Sequence, residues 1–513
     1  MHQRTASTLG LLVLLMAFVA GTFAYSFPDF EEDNTIAGSI DMRREVVLPA
    51  SFQVLKSISY DRVLGGAWAK RELTTEQAEH VSDLVMSFQA LDRTFNITLK
   101  RNMELFTRNA AVNVFEDGEL VESFVPENKA YHGEGLIDGM EKTAVSAVAA
   151  VAIDEKKGTF HMRIWNHAKK EGYMVEPAYL HHETLSKRSL DFNMEEDMLV
   201  YLESEENMAV DSPFKRGEEE DDHASCGNDE EEELMVEDDM FEERQSSCPP
   251  SRTTYLVMGV AADAQYTRKA GGKDKVLSLI TFLWNAIQTP YMKAVKVKPV
   301  VKSVVIQSSS SSSSSEAWNS ASCQTRGRRL SLFSAWRAKQ TDRTIGLWHL
   351  MSGCISGGRG WYGVVCYYSA CNECCGNCPS GEGTIAGAAI SSYATGSSGF
   401  YIVAHEIGHN FGARHGTKLM TSYVKRDETE FSSTSINEFC RDTWSERGWG
   451  SADCLLTSLP GDLDPIGGGS DSGRSSDSSE TCSCPSQQNK AAIDEDEEQQ
   501  GDSGAVKLSL PWY

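Results

Sequence analysis

Residues 405–415 read His-Glu-Ile-Gly-His-Asn-Phe-Gly-Ala-Arg-His, and this spacing constrains the local fold more than any other part of the chain. On an α-helix, His405 and His409 lie four residues apart and therefore project from the same face. Two imidazoles on one face can bind a single zinc ion. The pattern thus predicts a helix that carries a metal site on one side.

The remaining fixed positions of this pattern also have roles in such a site. Gly412 has no Cβ, so it can adopt a positive φ, end the helix and turn the chain until His415 becomes a third ligand. Glu406 lies between the helical histidines and is placed to take a proton from a water that the metal has made acidic. Five fixed positions are rarely matched by chance, so ordinary surface histidines explain the pattern poorly.

The N-terminus predicts entry into the secretory pathway. Arg4 precedes an apolar run over residues 11–20, and small residues follow, so residues 1–24 are typical of a signal peptide. No later segment is long and apolar enough to span a bilayer, so we expect a secreted, extracellular product without a membrane anchor. The formal net charge of −26 argues against nucleic acids and anionic membranes as partners.

Composition divides the 513 residues, which are too many for one core, into segments. Residues 25–216 contain short alternating apolar runs between turn residues, which favours a β-rich domain. Residues 217–252 form an acidic linker, because repelling carboxylates cannot build a core. The Gly-, Ser- and acid-rich residues 461–513 predict a disordered tail, and the serine tract at 308–315 predicts a flexible loop.

Residues 253–460 alternate strands with helices. Strands are predicted at 255–260, 300–306 and 345–351, and helices at 276–287 and 330–338. This alternation predicts an α/β fold with a mixed, mostly parallel twisted sheet covered by helices. The expected order is therefore a β-rich domain, a linker, an α/β domain and a tail.

The thirteen cysteines of a secreted chain imply disulfides, and their odd number leaves at least one thiol outside the internal pairs. None precedes Cys226. The run from Cys371 to Cys378 could form a second zinc site, but an oxidising compartment favours a loop held by disulfides.

The zinc pattern and the segments around it resemble the reprolysin or ADAM branch of the metzincin metalloproteases. Segments similar to its catalytic domain are 253–260, 332–337, 347–353, 361–366 and 431–435; segments similar to its propeptide are 95–99, 131–133 and 173–177. The resemblance implies a zinc metalloendopeptidase that acts on proteins or peptides. It also implies a latent precursor, inhibited by its own propeptide over residues 25–216.

The resemblance extends to further site residues. Met420 is the candidate for the methionine turn that metzincins place beneath the metal. Cys226, followed by glycine as in the family's propeptide motif, is the candidate cysteine switch, a thiolate that fills the fourth zinc position. Cys248 is the alternative switch, and a disulfide at Cys226 is the other possibility. Gly416 stands where the family usually has Asp, so we expect altered specificity.

Other functions stay open at this point. A peptide substrate is expected to lie along an edge strand, for which residues 361–366 are the candidate. The main alternative is a non-catalytic protein-binding member on a metalloprotease scaffold, which the loss of Glu406 or of a histidine would favour. A secreted metal-sequestering protein is a third possibility, suggested by the acidic linker.

A single glycosylation sequon is present, at Asn96-Ile97-Thr98. Asn96 is opposite in phase to Phe95 and Ile97 along a predicted strand, so its side chain is expected to face solvent.

Overall fold

In the computed structural model, the described residues are 83–138, 143–153, 158–181, 193, 197–205, 248–311, 314–367, 385–394, 396–422, 428–444 and 452–459, with the backbone of three short strands between 53 and 68. These residues form two β-sheets and five α-helices.

Twelve of the described strands lie before residue 205. They are β1 (Gln53–Leu55), β2 (Ser59–Leu64), β3 (Ala67–Trp68), β4 (Asp83–Ala90), β5 (Arg93–Arg101), β6 (Phe106–Glu116), β7 (Glu119–Phe124), β8 (Ala130–Asp138), β9 (Thr143–Ile153), β10 (Gly158–Asn166), β11 (Glu171–Pro177) and β12 (Met198–Leu202). Ten of them form one antiparallel sheet, in the order β1-β12-β11-β10-β9-β8-β5-β4-β2-β3, which we call the N-terminal sheet.

Alternating side chains give the N-terminal sheet its buried face. On β5, Phe95, Ile97 and Leu99 are fully buried, whereas Asn96 and Lys100 are exposed. Side chains two residues apart along a strand share a face, so this alternation places one apolar row against the core. The β-rich character predicted for this part of the chain is confirmed.

The second sheet belongs to the C-terminal part of the chain. Its strands there are β13 (Thr254–Ala262), β14 (Val297–Gln307), β15 (Leu347–Ser352), β16 (Gly358–Gly360) and β17 (Ala388–Ser392). The helices are α1 (Ala264–Ala270), α2 (Lys273–Val295), α3 (Arg326–Ala338), α4 (Gly396–Asn410) and α5 (Ser433–Thr443). Strand β13 pairs in parallel with both β14 and β15, and β15 pairs in parallel with β17. Strand β16 is antiparallel to β17. The predicted mixed, mostly parallel sheet is therefore confirmed.

Two strands from the N-terminal part complete this second sheet, whose order is β16-β17-β15-β13-β14-β6-β7. Strand β6 pairs in parallel with β14, from Ser303 opposite Ala111 to Gln307 opposite Phe115. A hairpin from residues 106–124 thus extends a sheet that otherwise comes from residues after 253. The alternation of strands and helices does not predict this pairing.

The serine tract is anchored where it follows β14. The Ser308 backbone N–H donates to the Phe115 carbonyl at 2.9 Å, and the Asp117 N–H donates to Ser309 Oγ at 2.6 Å. Both partners lie in the β6–β7 hairpin. The start of the tract is thus hydrogen-bonded to the hairpin, through partners that the local sequence does not reveal.

Among the described residues of the C-terminal part, three disulfides form: Cys248–Cys440, Cys323–Cys354 and Cys366–Cys454. They confirm the predicted use of cysteines in disulfides. The run from Cys371 to Cys378 lies outside the described residues. Within the part of the chain that the structure describes, no helix has the length and apolar character needed to cross a bilayer.

Candidate metal centre

Helix α4 carries two histidines and a glutamate whose side chains are buried. Its fifteen residues end at Asn410, one turn after His405 and Glu406. His405 is 2% exposed, while Glu406 and His409 are fully buried. The ring centroids of His405 and His409 are 4.6 Å apart, as expected for residues one helical turn apart on one face.

Gly412 turns the chain after α4. Its φ of 103° lies in the region that L side chains rarely adopt, and its N–H donates to the His409 carbonyl at 2.8 Å. A Cβ at this position would lie 2.4 Å from Asp442 Cβ, so space also requires glycine. The turn brings the partly exposed His415 ring to 5.2 Å from that of His405 and 5.0 Å from that of His409.

Backbone carbonyls orient the two helical imidazoles. His405 Nδ1 lies 2.8 Å from the Leu419 carbonyl oxygen, and His409 Nδ1 lies 2.7 Å from that of Ala413. A carbonyl only accepts, so each Nδ1 carries the proton, and Nε2 is the nitrogen suited to a metal. Nitrogens of the three histidines lie within 4.8 Å of one another.

Burial keeps these imidazoles in the form that binds metal. Burial, aided by the neighbouring His415, lowers the pKa of His405 to about 3. Burial and then the charges of His405 and His415 also lower the pKa of His409 well below its usual value. Neutral imidazole is the ligand form, so the site needs no deprotonation step near pH 7.

Met420 lies directly against α4. It is fully buried, and a Cβ on Gly408 would come within 2.5 Å of its sulfur. Its carbonyl accepts from the Gly416 N–H at 2.8 Å, which closes a tight turn after His415. Met420, the candidate for the methionine turn, thus packs against the ligand helix only five residues after His415.

The edge strand β16 passes over Glu406. A Cβ on Gly358 would lie 2.3 Å from Glu406 Oε1, and one on Gly360 would lie 2.5 Å from the Glu406 carbonyl oxygen. Both glycines are thus required for this close approach. Sequence reasoning missed them, although the run Gly357-Gly358-Arg359-Gly360 is a signal for a backbone that passes close to another group.

The prediction that residues 361–366 form the edge strand is wrong, since the edge strand is β16, just before them. Instead, the Gly363 N–H donates to the His409 carbonyl at 3.0 Å and the Val364 N–H to the Asn410 carbonyl at 2.9 Å. The end of α4 needs donors for its last carbonyls, and this segment supplies them.

Asn96 and Cys248 do not belong to this cluster. Asn96 lies on β5 of the N-terminal sheet, where it is exposed and accepts a hydrogen bond from Ser87 Oγ at 2.8 Å. Cys226 lies outside the described residues. Cys248, the alternative switch, is bonded to Cys440 and has no thiol to offer.

The donor set fits zinc. Three imidazoles are a ligand set of catalytic zinc sites, and in two of them, His405 and His409, a backbone carbonyl accepts a hydrogen bond from the second nitrogen. His415 is less buried than the helical pair, so the cluster is reached from its side. Glu406 lies between the two helical histidines in the sequence and is fully buried. Its carboxylate is not one of the three grouped ligands.

Residues 251–445 match the family model of reprolysin type described as "Metallo-peptidase family M12". The chain is also similar to the "Disintegrin and metalloproteinase domain-containing protein B" of Aspergillus fumigatus, at 28% identity over 181 residues, which is 34% of this chain and 22% of that protein. The proteins of the same name from Trichophyton verrucosum and Arthroderma benhamiae are each 27% identical over 186 residues, or 34% of this chain and 23% of theirs.

The chain spans less than a quarter of the length of these relatives. The family match includes helix α4, the turn at Gly412, the three histidines and Met420. The fold around them is the mixed sheet with helices that the resemblance implies. The segment of this chain from residue 251 to residue 445 is therefore similar to the metallopeptidase domain of family M12.

Proposed function

We propose that this chain is a secreted zinc endopeptidase, made as a latent precursor, whose catalytic base is Glu406. The observation that carries the proposal is the position of this carboxylate. It is fully buried on the helix that supplies His405 and His409, and it lies against the edge strand β16. A base so placed lies between the metal ligands and the strand along which a peptide can pair.

The residues divide the chemistry among them. His405, His409 and His415 would hold the zinc ion, which when bound supplies a Lewis acid that makes a water acidic and polarises a carbonyl. Glu406 takes the proton of the attacking water and then passes it to the leaving amine. The backbone of β16 aligns an extended peptide by β-augmentation. Met420 supports the ligand helix from below.

The non-catalytic alternative lacks a supporting observation. A binding protein on this scaffold has no need of the carboxylate, yet Glu406 is present, and the missing Cβ of Gly358 leaves room for its side chain. For metal sequestration, the acidic residues 217–243 of the linker lie outside the described residues, and His405, His409 and His415 form a site for one ion. Peptide-bond hydrolysis explains every residue of the cluster.

Digestion of a peptide library by the processed protein tests this proposal. We expect cleavage that a zinc chelator abolishes and that added zinc restores, since three neutral imidazoles release their metal to a stronger ligand set. The products identify the side-chain preferences on each side of the cut. A processed, zinc-loaded protein that cleaves no library peptide would refute the proposal.

If Cys226 keeps the precursor latent, its removal should raise the activity of the unprocessed protein. Replacing Cys226 with serine is expected to raise the activity of the unprocessed precursor by about 10²-fold or more, because the open zinc position would no longer hold a thiolate. Activity and zinc content are measured before any processing, beside Ser225→Ala as the control. Equal inactivity of the Cys226→Ser variant and the parent, with zinc bound to both, would exclude the switch.

The switch has a consequence for processing. The dibasic pairs at 187–188 and 215–216 both precede Cys226, so cutting there leaves the thiol on the enzyme. Activation then requires a further cut after Cys226, and Arg244 and Arg252 are the candidate positions. A cut at Arg252 alone would leave the Cys226 segment attached through the Cys248–Cys440 disulfide. Sequencing the N-terminus of the active form identifies the cut.

Secretion predicts a glycan on Asn96. The side chain is exposed on β5, and the oligosaccharide is added in the secretory pathway of hosts that glycosylate. Treating the secreted precursor with a glycan-removing enzyme should lower its mass, and the Asn96→Gln variant should show no such change. An unchanged mass in the treated parent would contradict the prediction.

A further inference from the structure

A carboxylate of the N-terminal sheet lies at the start of the ligand helix. Glu176, on β11, is 1% exposed, and its Oε1 accepts a hydrogen bond of 2.7 Å from the backbone N–H of Gly396. Gly396 is the first residue of α4. The first N–H groups of a helix have no partner within the helix, and a negative charge at this end also interacts favourably with the helix dipole.

The second oxygen of the Glu176 carboxylate is also hydrogen-bonded. This oxygen accepts from Tyr201 Oη at 2.7 Å and lies 2.9 Å from His181 Nε2. Burial acts to raise the pKa of Glu176, but the hydrogen bonds of His181 and Tyr201 outweigh it and leave that pKa below its usual value. Glu176 is therefore ionised near neutral pH and fixed in direction.

A second buried charge contacts the next turn of α4. Arg163, on β10, forms a bidentate ion pair with Glu203, at 2.5 and 2.9 Å. Its guanidinium also donates to Tyr401 Oη at 3.2 Å and lies 4.8 Å from the centroid of the Phe400 ring. The first two turns of the ligand helix are thus held by ionised groups from outside the matched family domain.

We propose that Glu176 is a positioning residue for the zinc ligands, acting as the N-terminal cap of α4 from the N-terminal sheet. Gly396 lies nine residues before His405, about 13 Å along the helix axis. A helix of this length transmits a shift of its first turn to His405 and His409, because its packed backbone moves as one body. The N-terminal sheet then sets the ligand geometry besides covering the catalytic part.

The part of this inference that concerns the zinc ligands rests on the proposed function. The contact between Glu176 and Gly396 is independent of any metal, and its effect on the helix can be measured in the full-length chain without one. A failure of the peptidase proposal and a failure of the capping proposal therefore give different results.

Amide hydrogen exchange of the peptide covering 396–404, followed by mass spectrometry, provides the first test. In Glu176→Ala, we expect exchange there to be about tenfold faster, since the cap and its charge are both lost. In Glu176→Gln, which keeps an acceptor oxygen of the same reach, we expect an increase of about threefold. This graded rescue distinguishes a cap from general loosening of the fold.

Glu171→Ala is the matched control. It removes the same charge from the same strand, but Glu171 bonds to Tyr173 and lies 3.6 Å from Arg93, both in the N-terminal sheet. Exchange over 396–404 should remain within about twofold of the parent. If Glu176→Ala does not fold, the test is the comparison of exchange over 396–404 between Glu176→Gln and Glu171→Ala. Equal exchange in those two variants would overturn the proposal.

Metal release provides the second test, at temperatures equally far below the Tm of each variant. Zinc should leave Glu176→Ala at least about threefold faster than Glu171→Ala when a chromophoric chelator captures it, since misaligned ligands bind more weakly. Cobalt in place of zinc should show a changed visible spectrum in the first variant only. Release and spectra equal to those of the control would limit Glu176 to a structural role.

Discussion

Replacing Glu406 with alanine is expected to leave zinc bound and to lower peptide-bond hydrolysis by at least about 10³-fold, because it removes the base and keeps all three imidazoles. Replacing His405, His409 or His415 with alanine should instead lose both zinc and activity. Metal analysis and a peptidase assay on the four variants separate the two kinds of defect. Full activity in Glu406→Ala would contradict the proposed mechanism.

The control for this prediction is another carboxylate. Glu122 lies on β7 and pairs with Lys273 at the surface of the second sheet. Glu122→Ala changes the net charge equally and should retain both zinc and activity. A loss of activity there would show that charge alone, rather than the position of Glu406, governs the rate.

Replacing Gly358 with alanine is expected to lower activity by about 10²-fold with zinc retained. The added Cβ would lie 2.3 Å from Glu406 Oε1, and the end of a side chain yields more readily than a strand, so the base would move. The measurement is kcat and zinc content together. This variant should fold, because the contact involves no backbone atom of α4.

Gly416→Ala is the matched control for Gly358→Ala. A Cβ on Gly416 would meet no atom within 4 Å, although this residue follows His415 directly. Its activity should remain within about twofold of the parent, in line with surface substitutions of small effect. If the two variants lose activity equally, the cause is general sensitivity of the region and not the displacement of Glu406.

The parts of the site that the sequence predicts are those that depend on local geometry. A spacing of four residues on a helix places His405 beside His409 whatever surrounds them. Gly412 adopts the positive φ that its missing Cβ allows. Met420 was identified through a family resemblance, and no local rule would separate it from an ordinary core methionine.

The remaining features depend on residues distant in the chain. No residue near β16 in the sequence indicates that this strand packs against Glu406, about fifty residues later. The sequence therefore predicts the edge strand at 361–366, just after its observed position at Gly358–Gly360. The contact between Glu176 and Gly396 joins residues 220 apart, and a strand pattern reveals which face is buried but not what covers it. Pairing of β6 with β14 is hidden for the same reason.

The shared sheet affects what remains when the two parts of the chain are separated. Strand β14 is eleven residues long, and its outer row of N–H and C=O groups is paired with β6. A shortened chain beginning at residue 248 would present that row to water, with apolar valines on both sides of the strand. Such an edge is a template for self-association. The hairpin of residues 106–124 therefore covers an edge of the C-terminal part that would otherwise be open to self-association.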